Sequence, residues 1–140
     1  MKRSYSICAG IFIMSMGFMI QSANAQEDVS RLFRQLEAHS DGFRKTLNHA
    51  LDGSPLNGTN TEDEINGYVK QFEESTDRLK KNYNKGRDNR IAVQEVLQRG
   101  KTINTFLKRH KINPTVNTEW INVKGDLARL ARAHKVRLGF

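Results

Sequence analysis

Apolar residues in this chain recur at three-and-four spacing from Val29 to Ala131, so the chain buries them on helices rather than strands. Val29, Leu32, Phe33, Leu36, Phe43, Leu47, Ala50 and Leu51 make the first stripe, with Ser40 its one small polar gap. Gly53 and Pro55 stop this helix, and Leu56–Asn60 carries turn chemistry. The second stripe is Ile65, Val69, Phe72, Thr76, Leu79 and Tyr83, with Tyr68 alongside. Thr61 and Glu64 have the spacing of a capping box at its start, and it ends near Lys85-Gly86. Asp88 or Asn89 caps a third helix that carries Val93, Val96, Leu97, Ile103, Phe106 and Leu107, with His110 a candidate at its end, and Asn113-Pro114 is expected to close it. A fourth is expected to start near Asn117 or Thr118 and to carry Trp120, Ile121, Leu127, Leu130, Ala131 and His134. Val136, Leu138 and Phe140 then form an apolar tail expected to fold back onto the rest.

Acid-then-base pairs at a spacing of four support the same helices: Glu27–Arg31, Asp41–Lys45, Glu74–Arg78, Asp77–Lys81 and Glu95–Arg99. Helices of similar length joined by short turns favour antiparallel neighbours. The expectation is therefore all-α: an antiparallel up-down-up-down four-helix bundle.

The first residues follow a different plan. Lys2 and Arg3, the apolar run Ile7–Ile20 and the small-residue site Ala23-Asn24-Ala25 have the layout of a secretory signal peptide. The apolar run is shorter than the roughly 20 residues a spanning helix needs. The expected division is a presequence over 1–25 and one helical domain over 26–140, exported to a bacterial periplasm or to the exterior. Removing 1–25 lowers the formal charge from +8 by the two units of Lys2 and Arg3. It also removes Cys8 and every methionine: Met1, Met14, Met16 and Met19. A cysteine-free mature chain excludes disulfides, a thiol nucleophile and thiolate ligation of a metal.

Other chemistries lack their residues. His39, His49, His110 and His134 include no Glu-x-x-His or His-x-x-x-His pair of the kind that aims metal ligands into a bundle. Edge or surface histidine is the plainer reading, although His49 and His110 are expected near one end. No Cys-x-x-Cys-His haem site, nucleophile elbow or glycine-rich phosphate loop is present. No cofactor and no enzymatic activity are expected. Gly42, Gly67, Gly100 and Gly125 fall inside helices. Gly100, on the third stripe, allows close helix approach or leaves space beside Trp120, and a small pocket there is the sharper reading.

Two sets of charged residues remain. Asn66, Glu73 and Asp77 recur at seven and four along one flank of the second helix, where a neighbouring arginine such as Arg44 or Arg129 would make them a register network. Lys80, Lys81, Lys85, Arg87, Arg90, Lys108, Arg109, Lys111, Arg129 and Arg132 supply the basic excess. Cations near helix C-termini suit the helix dipole, and the remainder attract anionic partners.

Asp63-Glu64-Ile65-Asn66, followed by Val69-Lys70, Phe72-Glu73 and Thr76-Asp77-Arg78-Leu79, resembles a pattern of uncharacterised exported bacterial helical-bundle proteins. Trp120, Asp126-Leu127 and Leu130-Ala131 resemble the same group. The resemblance implies export and a helical fold, and brings no activity with it. The functional expectation is a non-enzymatic exported bundle that binds a partner protein or an anionic envelope component through its basic faces. The alternative is a bundle that binds a small ligand or a metal.

Overall fold

A computed structural model describes residues 17–139 as four α helices and no strand. They are α1 (Gly17–Asp52), α2 (Asn60–Asn84), α3 (Arg90–Arg109) and α4 (Pro114–Ala133). The presequence features before Gly17, Cys8 among them, lie outside the described residues, as does Phe140. The backbone of α1 passes through the expected cleavage site at Ala23-Asn24-Ala25. No described helix is long and apolar enough to cross a membrane.

Each helix buries one stripe. On α1 these are Leu32, Phe33, Leu36, Phe43, Leu47 and Leu51; on α2, Ile65, Val69, Phe72, Thr76 and Leu79. On α3 they are Val93, Val96, Leu97, Gly100, Ile103, Phe106 and Leu107, joined by the polar Asn104. Val136 and Leu138 of the tail pack against this core. Pairs across the seams set the register. Phe33 meets Tyr83, Glu37 meets Lys80 and Arg44 meets Glu73, so positions on α2 fall as those on α1 rise. Between α2 and α3 the pairs are Arg78 with Glu95, Gln71 with Arg99 and Tyr68 with Phe106. Between α1 and α4 they are Gln35 with Arg129, His39 with Asp126 and Phe43 with Trp120.

Three local expectations change. The second helix is capped two residues earlier, by Thr59 rather than Thr61, because Thr59 and Glu62 satisfy the same capping-box spacing. Thr59 Oγ1 accepts from the Glu62 N–H at 3.4 Å and donates to the Leu56 carbonyl, which holds the loop against the helix start. The Glu62 carboxylate reaches back to the Gly58 N–H at 2.6 Å. Pro114 opens α4 rather than closing α3. Asn113 is the cap, its Oδ1 accepting from the Thr115 N–H at 2.8 Å, and proline is preorganised for the first helical position. The buried face of α4 carries Val116, Trp120, Val123, Asp126, Leu127, Leu130 and Ala131, so of the expected stripe Trp120, Leu127, Leu130 and Ala131 are buried while Ile121 is 59% exposed.

Among the i,i+4 pairs, Glu95 and Arg99 approach to 4.0 Å. Arg78 instead crosses to Glu95 of α3 at 2.5 Å, and Asp41 faces Arg44 rather than Lys45. Exposed side chains choose among several partners at little cost, since each such pair contributes about 1 kcal/mol or less. The side chain of Glu27 lies outside the described residues.

Candidate functional site

The seam between α3 and α4 holds a cleft of about 520 Å³. It lies at the turn where α3 ends at Arg109 and the chain passes through His110–Asn113 before Pro114 opens α4. The floor is apolar: Leu107, Ile112, Pro114, Trp120 and Ile121. Lys108, Lys111 and Lys124 stand around it, with Asn104, Asn113 and Asn117, and no carboxylate lines the cleft. None of the three lysines has an ion-pair partner among the described residues. Trp120 is held in place from behind. Its Nε1–H donates to the buried Asn104 Oδ1 at 3.1 Å, and its ring packs on Phe43 and Phe72 with centroids 4.9 and 6.1 Å away. Leu107 and Trp120 are thus fixed core side chains, Ile112 is half-buried, Pro114 and Ile121 are exposed, and three lysines make the surround cationic.

The ten expected basic positions do not form one patch. Lys81, Lys85, Arg87 and Arg90 gather around the α2–α3 turn, whereas Lys108, Arg109 and Lys111 lie at the other end of α3. The 20-residue helix from Arg90 to Arg109 separates the two groups by roughly 30 Å. Arg132 is exposed on the last turn of α4. Two of the ten are engaged within the fold. Lys80 Nζ donates to both Glu37 oxygens at 2.7 and 2.8 Å, and Arg129 bonds Asp126 and Gln35 at 3.4 Å each. Lys124, absent from the expected set, completes the cleft. Its signal was its place one turn beyond Trp120, on the flank that also carries Ile121.

The seam between α1 and α2 has the opposite charge. A cavity of about 270 Å³ is lined by Glu37, Ser40, Asp41, Glu73, Thr76 and Asp77. Burial raises the carboxyl pKa of Glu73 above its usual range; Arg44 opposes this, and Asp41 and Asp77 add to it. Arg44 Nε lies 3.3 Å from Glu73 Oε1 without hydrogen-bonding geometry. The Ser40 hydroxyl is buried with no hydrogen-bond partner. Asn66 is exposed and does not line this cavity.

The histidines are dispersed. His39 Nδ1 lies 2.5 Å from the Asp126 carboxylate, His110 stacks on Phe106 with centroids 4.4 Å apart, and His134 Nδ1 bonds the Leu130 carbonyl at 3.1 Å. His49 is exposed. Among the described residues no three His, Cys, Asp or Glu side chains are grouped to hold a metal ion. The feature that sequence reasoning missed is Asp126, 1% exposed on α4 and shared by His39 and Arg129. An acid at a stripe position one residue before Leu127 was the available signal. Gly100 is buried on α3.

Comparison of the chain with protein-family models, curated proteins and solved structures gives no match.

Proposed function

We propose that this chain is an exported, non-enzymatic bundle of up-down-up-down antiparallel topology, periplasmic or extracellular, that binds an anionic envelope component through the α3–α4 end. The falling-against-rising residue pairs across the helix seams support the topology. The N-terminal charge, apolar run and Ala23-Asn24-Ala25 site support export. One observation carries the binding reading: Lys108, Lys111 and Lys124 surround an apolar floor with no carboxylate among them. Structural lysines on a helix surface are commonly interspersed with acids, as Lys80 is with Glu37. Three unneutralised cations at one concave site concentrate positive potential, and such a field attracts anions in a salt-dependent way.

Retention of the protein on vesicles with anionic headgroups tests this. Binding at low ionic strength that declines as salt rises is the expected result, and the double variant K108E/K111E should lose most of it. The matched reversal at the far end, K81E/K85E, should lose less. Equal effects from the two reversals, or no retention at low salt, would remove the reading.

A further inference from the structure

The charge of the α3–α4 cleft and its apolar floor together select one kind of occupant, and we infer that the cleft takes a single-chain lipid bearing a phosphate monoester head. This inference rests on the anion-binding reading and names its ligand. The cleft volume, about 520 Å³, lies within the usual range for small-molecule sites. Its lining divides by chemistry into two parts. Leu107, Ile112, Pro114, Trp120 and Ile121 offer a hydrocarbon surface, of which Ile121, 59% exposed, is the most accessible large apolar side chain. Lys108, Lys111 and Lys124 offer three ammonium groups on flexible stems, suited to an anion approached as a point charge. Three positive charges exceed what one carboxylate neutralises and are better offset by a phosphate monoester, which carries about −1.5 to −2 near pH 7. Their aliphatic stems can lie along the hydrocarbon while the ammonium groups hold the head. A bare phosphate would leave the floor exposed, and an uncharged amphiphile would leave the lysines unpaired. The ligand that satisfies both parts carries both groups.

Trp120 is the only tryptophan in the chain and lines this cleft, so the site carries its own reporter. Dodecyl phosphate, titrated below its self-association concentration, should change Trp120 emission saturably, while circular dichroism shows the helices unchanged. Octyl phosphate should bind about tenfold or more weakly. Inorganic phosphate should neither change the emission nor compete at equal concentration, and dodecyl maltoside, with the same chain and no charge, should leave the emission unchanged. K111E and K124E should each weaken dodecyl phosphate binding at least about fivefold, and Ile121→Asn should do so without altering the melting temperature. A maltoside response equal to that of the phosphate would overturn the inference. So would affinity independent of chain length, or variants that bind as the parent does. If dodecyl phosphate fails while salt-sensitive vesicle retention persists, the lipid assignment falls and the broader anion-binding reading stands; if both fail, both fall.

Discussion

Gly86 and Lys135 occupy the same conformational position at the ends of two helices, and only the first suits it. At the end of α2 the Arg87 N–H bonds the Asn82 carbonyl and the Gly86 N–H bonds that of Tyr83, with Gly86 at φ +67. At the end of α4 the Val136 and Lys135 N–H groups repeat this pattern with Ala131 and Arg132, and Lys135 is at φ +52. Both are Schellman closures, which favour glycine because a Cβ is strained in the left-handed region. Lys135 is exposed, so its replacement removes no buried contact. Lys135→Gly relieves a left-handed cost of about 1–2 kcal/mol, against about 0.4–1 kcal/mol of added freedom in the unfolded chain. A net gain of up to about 1.5 kcal/mol in urea unfolding is expected, and Gly86→Ala should lose a similar amount. A second residue-scale prediction concerns Glu73. Burial raises its carboxyl pKa, so the folded chain holds that proton more tightly than the unfolded chain does. The stability this confers is present at acid pH and is lost as pH rises through the carboxyl range. Glu73→Gln mimics the protonated form, so the unfolding free energy of the variant relative to the parent should improve from about pH 4 to about pH 7. An unchanged difference across that range would show that Arg44 fully offsets the burial.

At the scale of elements, the apolar spacing carried most of the information. The apolar stripes read from sequence on α2 and α3 are buried, Tyr83 only partly, because their spacing is regular, whereas the buried polar Ser75 and Asn104 carry no apolar signal. The boundaries depended on choices that spacing does not resolve. Thr59 and Thr61 both stand three residues before a glutamate, and the loop contact of Thr59 to Leu56 selects between them. Pro114 is compatible with ending one helix or starting the next, and the Asn113 side chain decides by capping Thr115. Ile121 lies about 100° around α4 from Trp120, off the buried face, so assigning it to the inner stripe hid part of the candidate site. Lys124 and Asp126 were hidden for the same reason, since their roles depend on which face of α4 points inward. Asp126 ties α4 to α1 through His39, 87 positions away in the chain. A hydrogen bond from a half-exposed group to a buried carboxylate should contribute more than a pair with both ends in water. A double-mutant cycle on His39 and Asp126 is expected to give a coupling of about 1.5–3 kcal/mol. The same cycle on the exposed Arg78–Glu95 pair should give about 0.2–1 kcal/mol.

Across the whole molecule, α1 packs most closely on α4 and α2 on α3, and the α1–α2 and α3–α4 seams are sparser. The acidic cavity and the basic cleft lie in those two sparse seams, so the topology supplies the concavities and the sequence supplies their charge. What joins the two close pairs must then be a side chain that reaches across them. Trp120 does this: from α4 it touches Phe43 on α1, Phe72 on α2 and Asn104 on α3. Its 2% exposure means that truncation leaves a void at the meeting point of all four helices, and the Asn104 carbonyl oxygen loses its donor. Trp120→Ala is expected to cost about 3–5 kcal/mol, a large share of the roughly 5–15 kcal/mol that holds a domain of this size folded. Ile121, next in sequence, reaches no such junction, and Ile121→Ala should stay within about 0.5 kcal/mol of the parent. Urea unfolding of the two variants separates a residue that holds the bundle together from one that is available to a ligand. A loss at Ile121 as large as at Trp120 would mean that the cleft wall is structural, and would take from Ile121 the ligand-facing role given to it here.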